Sequence, residues 1–156
     1  MTQLVLDPVM TDPAATRPAR LADMFMLASL AAQAGCRLNP EEIRHRLLTP
    51  GTGTYLVATI ADTPVAVAQV HLVPPGQRRG VRWARLSALV VDENHRGIGL
   101  GSMLLAVCED YARFRGAQAL EIGLPPSRRP SGSFWRHHDY HPLPPALYAK
   151  SLTGNH

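Results

Sequence analysis

Six residues, Arg96-Gly97-Ile98-Gly99-Leu100-Gly101, join an apolar run ending in "ALVVDE" to a segment with helical spacing. Glycine loses more conformational freedom on folding than any other residue, so three of them at alternate positions imply that something must come close to the backbone there. A strand, a glycine-rich turn and a helix N-terminus together make an anion site. The N–H groups of the first helical turn point outward, and the helix dipole favours negative charge. Two familiar phosphate-binding patterns fail on spacing. The dinucleotide fingerprint G-x-G-x-x-G, counted from Gly97, meets Ser102 where its third glycine belongs, and the Walker loop needs a lysine that this run lacks.

The charge balance supports a phosphate-bearing small ligand. Lys+Arg number 16 against 12 Asp+Glu, and Lys150 is the only lysine, so the excess is arginine. These arginines are dispersed and few aromatics are interleaved with them, so a nucleic-acid partner is not expected. The two cysteines are Cys36 and Cys108. Cys108 falls on the apolar side of a helical pattern and reads as a buried thiol, not half of a disulfide. No Cys/His spacing of the zinc kind occurs, and Arg136–His141, "RHHDYH", reads as a solvated helix end; no metal is expected. No apolar run approaches the ~18 residues of a membrane span, and the N-terminus lacks a basic start followed by an apolar core. A cytoplasmic protein without a membrane partner is the expectation.

A chain of 156 residues fits one ordinary domain. Residues 1–15 read as a loose arm or an added strand, and residues 16–153 as the domain itself. The segment from Thr16 to Gly35 predicts a helix with Leu21, Met24, Phe25, Ala28 and Ala31 or Ala32 on its apolar face and Gly35 as its stop. A second helix starts with Asn39 as N-cap and Pro40 at its first position. The runs "TYLVATIA" and "PVAVAQVHLV" predict a hairpin turning at Asp62-Thr63. A polar loop, "PPGQRRG", leads into the strand "VRWARLSALVVD". After the glycines, Leu100, Met103, Leu104, Val107, Cys108, Tyr111 and Phe114 form an amphipathic stripe closed by Gly116. A strand "QALEIGL", a Pro/Ser/Arg loop, a short helix near Ser131–His138 and a strand "ALYAKSL" complete the order ααβββαβαβ, a single α/β (α+β) domain without repeats.

The run Arg96–Gly101 fits the pattern Q/R-x-x-G-x-G/A, and in this setting it resembles the coenzyme A pyrophosphate loop of the GNAT N-acetyltransferases. The likeness extends to "RPARLADM", "ALEI", "FWRHHDY" and "YAKSL", and so from about Arg17 to Leu152. It implies a mixed central sheet flanked by helices, with the fourth and fifth strands, near Arg82–Asp92 and Gln118–Leu124, splayed at one end. Acetyl-CoA would lie in that gap. Its pantetheine arm would pair with the backbone of Leu89, Val90 and Val91 like an added strand. Its pyrophosphate would meet the N–H groups of Gly97, Ile98, Gly99, Leu100, Gly101 and Ser102, with Arg96 adding charge. Arg128 holds the place of an arginine found in a subgroup of the family, in reach of coenzyme A phosphates.

The activity implied is acetyl transfer from acetyl-CoA to a primary amine of a small molecule by direct attack in a ternary complex. Acetylation of a protein N-terminus or lysine, and a non-catalytic acyl-CoA-binding module, are the alternatives; a homodimer is compatible with either. The acceptor would be bound by the first two helices and the "PPGQRRG" loop. The family's usual general acid is a tyrosine at the position of Trp135, whose indole has no accessible acidic proton. His138 ranks first as substitute, followed by Tyr140 and Tyr148, although a thiolate can also leave without a dedicated acid. Glu121, in "LEI", matches a family carboxylate that acts as base through water, and His71 is the other candidate base.

Overall fold

The structure, a computed structural model, describes residues 13–51, 53–74, 80–124, 132–144 and 146–153. Local chemistry sets its opening elements. Pro18 cannot donate to a helix and biases Arg17 to extended backbone. The first element of the described residues is therefore a strand, β1 (Ala15–Pro18), followed by a tight turn at Leu21–Asp23 and helix α1 (Met24–Gln33). β1 crosses the expected boundary at residue 15, and the helix expected from Thr16 starts only at Met24. Helix α2 (Pro40–Leu48) begins where Asn39 accepts a hydrogen bond from the Glu42 N–H at 2.9 Å, with Pro40 just inside.

Strands β2 (Thr54–Ile60) and β3 (Thr63–Leu72) form the expected hairpin, with Ile60 opposite Thr63. The turn is Ala61-Asp62, one residue earlier than the sequence pattern suggested. Both residues have positive φ, 51° and 62°, as a two-residue turn matching strand twist requires, and β-branched Thr63 is kept in the strand. There follow β4 (Trp83–Val91), α3 (Leu100–Phe114), β5 (Ala119–Ile122), α4 (Gly132–His137), β6 (His141–Leu143) and β7 (Ala146–Ser151). β6 was not expected; Pro142 suits it to an outer strand. Among the described residues the sheet order is β1-β2-β3-β4-β5-β7-β6, and only the β4–β5 pair is parallel.

Strand alternation divides the core between the two faces of the sheet. On one face Leu86, Leu89, Leu120 and Ile122 pack with Leu104, Leu105 and Cys108 of α3 and with Trp135 and Tyr140. On the other, Val57 and Val67 meet Leu27, Leu30 and Ile43 of α1 and α2. Two helical faces differ from the sequence pattern. In α1 the buried positions are Leu27 and Leu30, whereas Phe25 and Leu21 are exposed, because "MFMLASLAA" is apolar nearly all round and its spacing does not select a side. In α3 the buried line drifts to Leu105, Glu109 and Ala112, leaving Phe114 88% exposed. "RHHDYH" is not a solvated end throughout, since Tyr140 is fully buried. Cys108 is a buried thiol, and burial, with Glu109 alongside, pushes its pKa up to about 12.

Candidate functional site

β4 pairs with β5 only from Trp83 to Leu86, the last bond running from the Gly123 N–H to the Leu86 C=O at 2.8 Å. β4 continues to Val91 against β3 alone, so the two strands part as expected. The β3–β4 register shifts between Gln69 and Val70, opposite Ser87, and such a bulge adds local twist where the strands diverge. The Asp92 N–H bonds to the Val65 C=O at 2.8 Å, which fixes the alternation of the antiparallel ladder. Val90 therefore turns its amide groups toward Val67, while Leu89 and Val91 turn theirs to the side β5 has left. The expected three-residue edge narrows to Leu89 and Val91, and the Val91 C=O already accepts from Arg96 Nε at 3.2 Å.

The glycine loop is fastened to α1. Gln33 donates to Asp92 at 2.7 Å and accepts from the Glu93 N–H at 2.9 Å, while Asp92 also bonds His95 at 2.6 Å. These bonds from Gln33 and His95 hold the Asp92 carboxyl below its ordinary pKa. Gly97 and Gly99 have φ of 83° and 88°, and a Cβ on either would meet nothing within 4 Å among the described residues. Glycine is demanded there by backbone conformation, and no described residue fills the space beside it. Gly99 caps α3 without a side chain, so the N–H groups of Leu100, Gly101 and Ser102 have no partner within the helix. A Cβ on Gly101 would make ordinary contacts with Val91 and Phe134 at 3.7–3.9 Å. Arg96 through Ser102 thus form one open, donor-rich cradle; Arg128 lies outside the described residues.

The candidate proton carriers are dispersed. Trp135 is 0% exposed, edge-on to Phe134 and Tyr140 and stacked on Tyr148 at 6.1 Å. Its indole N–H has no hydrogen-bond partner among the described residues. Tyr140 donates to Glu109 at 2.7 Å, and burial together with that carboxylate raises its pKa, so the phenol is locked as a donor and is removed as a substitute acid. His138 packs on Phe134, and its Nε2 lies 2.9 Å from Ser102 Oγ, which stations it at the first turn of α3. Burial, then His137, lowers its pKa. Glu121 is 1% exposed and receives Arg85 Nε at 2.7 Å and Nη2 at 2.6 Å. Strand alternation places this pair on the face away from α3, so the structure does not bring Glu121 and His138 together.

Between α1, α2, β3 and β4 lies a cavity of about 210 Å³. Leu27, Ile43, Val67 and Leu89 make it largely apolar, Gln69 and Ser87 add polar groups, and Arg46 also lines it. Leu27, Ala31 and Ala34 from α1 and its C-terminal turn, and Ile43 and Arg46 of α2, contribute to its wall; residues 75–79 of the polar loop lie outside the described residues. Gln69 and Ser87 were missed by sequence reasoning. The usable signal was Gln69 and His71 alternating in the otherwise apolar run "PVAVAQVHLV", two polar side chains on one face of a core strand.

A family model described as "Acetyltransferase (GNAT) family" matches residues 22–140. The chain belongs to the GNAT acetyltransferase family. Solved structures agree with this GNAT protein at the level of fold. An N-acetyltransferase from Staphylococcus aureus Mu50 superposes with a TM-score of 0.77 at 16% identity, covering 91% of this chain and 100% of that one. A ribosomal-protein-alanine N-acetyltransferase from Brucella melitensis gives 0.67 at 21% identity over 81% and 90% of the two chains. A transcriptional regulator from Bacillus halodurans gives 0.72 at 18% identity over 83% and 93%. No curated protein matches the sequence. Among the described residues no helix is long and apolar enough to cross a membrane, and no cluster of three or more His, Cys, Asp or Glu could hold a metal ion.

Proposed function

We propose that this GNAT protein is an acetyl-CoA-dependent N-acetyltransferase whose acceptor is a primary amine of a small molecule with an apolar body. The observation that carries this reading is the continuity of three features: the cradle at Arg96–Ser102, the open backbone edge at Leu89 and Val91, and the cavity that Leu89 also lines. The cradle fits a pyrophosphate, because its N–H groups have no helical partner and no Cβ obstructs the approach at Gly97 and Gly99. The edge fits an extended arm bearing amides, which completes it as an added strand would.

When bound, acetyl-CoA supplies an activated acyl group and a thiol leaving group. The chain supplies position and polarity. Leu89 N–H faces the open side and is placed to polarise a thioester carbonyl. The cavity holds the acceptor's body against Leu27, Ile43 and Val67, with its nitrogen toward Ser87. Arg85 and Glu121 act as a fixed ion pair on that face. A thiolate can leave a thioester without a dedicated acid, because a thiol is far more acidic than an alcohol, so tryptophan at position 135 does not bar turnover.

The modest size and mainly apolar lining of the cavity favour a small acceptor over an extended peptide, although one fold neighbour is a ribosomal-protein-alanine N-acetyltransferase. The test is coenzyme A release from acetyl-CoA across a panel of alkyl- and arylalkylamines, amino acids, polyamines and N-terminal peptides. Turnover with apolar amines above that with peptides is expected. Turnover confined to peptides would transfer the assignment to protein acetylation.

A further inference from the structure

We infer that Ser87 and His71 form a proton relay from the acceptor cavity, with Ser87 receiving the proton of the attacking amine and His71 receiving the proton of Ser87. The inference rests on the transferase reading above. β3 places Gln69 and His71 at alternate positions on the sheet face that carries the cavity, and the bulge in β4 occurs at Ser87. Ser87 lines the cavity together with Gln69 and Leu89, and its Oγ lies 3.1 Å from His71 Nδ1. The far end of the pair is anchored. A Cβ added to Gly53 would stand 3.1 Å from the His71 Cβ, so backbone covers the root of the imidazole and limits where the ring can go.

Two charged groups act on His71, Arg85 of the adjacent strand β4 and Glu121 of β5, one strand further on. Burial and then Arg85 lower the pKa of His71, while Glu121 opposes them. The imidazole is therefore neutral near neutral pH, and in the tautomer with its proton on Nε2 it accepts through Nδ1 from the Ser87 hydroxyl. In the reaction, the bond from amine nitrogen to acetyl carbon forms and the carbon–sulfur bond breaks. The nitrogen, made acidic by bond formation, gives its proton to Ser87 Oγ as Oγ gives its own to His71 Nδ1. The imidazolium then releases a proton to solvent, and the departing thiolate takes one up. The sum is amide and free thiol.

The experiment measures kcat against pH for the best acceptor of the amine panel, and acetyl-CoA affinity by titration calorimetry, in wild type, Ser87→Ala and His71→Gln. In wild type, kcat should rise with pH along a limb set by the imidazole and level off near neutrality. Both variants should lose about 10²-fold in plateau kcat and lose that limb, which a structural role would not do. Their acetyl-CoA affinity should stay within about twofold of wild type, which also reports an intact fold. Plateau kcat within threefold of wild type with the limb intact, in either variant, overturns the relay and leaves the transferase reading standing. Absence of transfer by wild type to every acceptor overturns both.

Discussion

Gly99 offers the sharpest separation between a turn and a binding cradle. Its φ of 88° lies in the left-handed region, and no described residue stands within 4 Å of an added Cβ, so Gly99→Ala introduces backbone strain without a clash against them. That strain costs about 1–2 kcal/mol. For a chain of this size each kcal/mol corresponds to roughly 2–4 °C, so the melting temperature should fall by about 2–8 °C. Relief of the strain would rotate the N–H groups of Leu100 and Gly101 out of convergence, and acetyl-CoA affinity should drop at least about tenfold, or 1.4 kcal/mol. Gly101→Ala is the matched control. It sits within α3, its Cβ would make only ordinary contacts at 3.7–3.9 Å, and alanine favours a helix by up to about 1 kcal/mol. It should keep both stability and affinity. Differential scanning fluorimetry and calorimetric titration measure the two quantities, and unchanged affinity in a folded Gly99→Ala protein would refute the cradle.

Stability should fall on mild acidification. His71 and His138 both titrate below the ordinary histidine value of about 6.5, burial being the first cause in each, so just below that pH the unfolded chain binds more protons than the native one. Urea midpoints should therefore decline as pH drops from about 6.5, and a His71→Gln/His138→Gln double variant should flatten that decline; an equal slope in the variant would contradict it. Tyr140→Phe leaves buried Glu109 with Lys150 but without its phenol donor, and should cost about 1–3 kcal/mol in urea unfolding, whereas a loss below ~0.5 kcal/mol would show that the bond is not formed. In native protein a thiol reagent should modify half-buried Cys36 and spare Cys108, whose pKa is about 12; rapid modification of both would argue against the packing of α3.

Much of this architecture was legible because neighbouring signals agreed. Asn39, Pro40 and Glu42 each specify the start of α2, and Arg96–Gly101 sits where strand must become helix, so each reading was over-determined. The face of α1 was read only in part: Met24 and Ala28 do pack toward the core, but Leu27 and Leu30 were missed and Leu21 and Phe25 are exposed, because a segment apolar all round carries little phase and its face is chosen by what the sheet offers, Val57 and Val67. Tyr140 looked solvated within a polar run. Its burial depends on Glu109 and Lys150, which come from α3 and β7, and no local pattern encodes that meeting. The same holds for the site. The phosphate cradle is contiguous in sequence and was visible, whereas Ser87, His71, Arg85 and Glu121 converge only through the strand register and a bulge.

The central claim is that the cradle, the open β4 edge and the cavity serve one reaction. Thiol release from acetyl-CoA, measured with purified protein across the amine panel and matched by mass-spectrometric detection of the acetylated amine, tests it most directly. Amine-dependent release with stoichiometric amide product is the result expected. Tight acetyl-CoA binding with no amide formed from any acceptor would contradict the claim and leave a module that binds the acyl donor without turning it over.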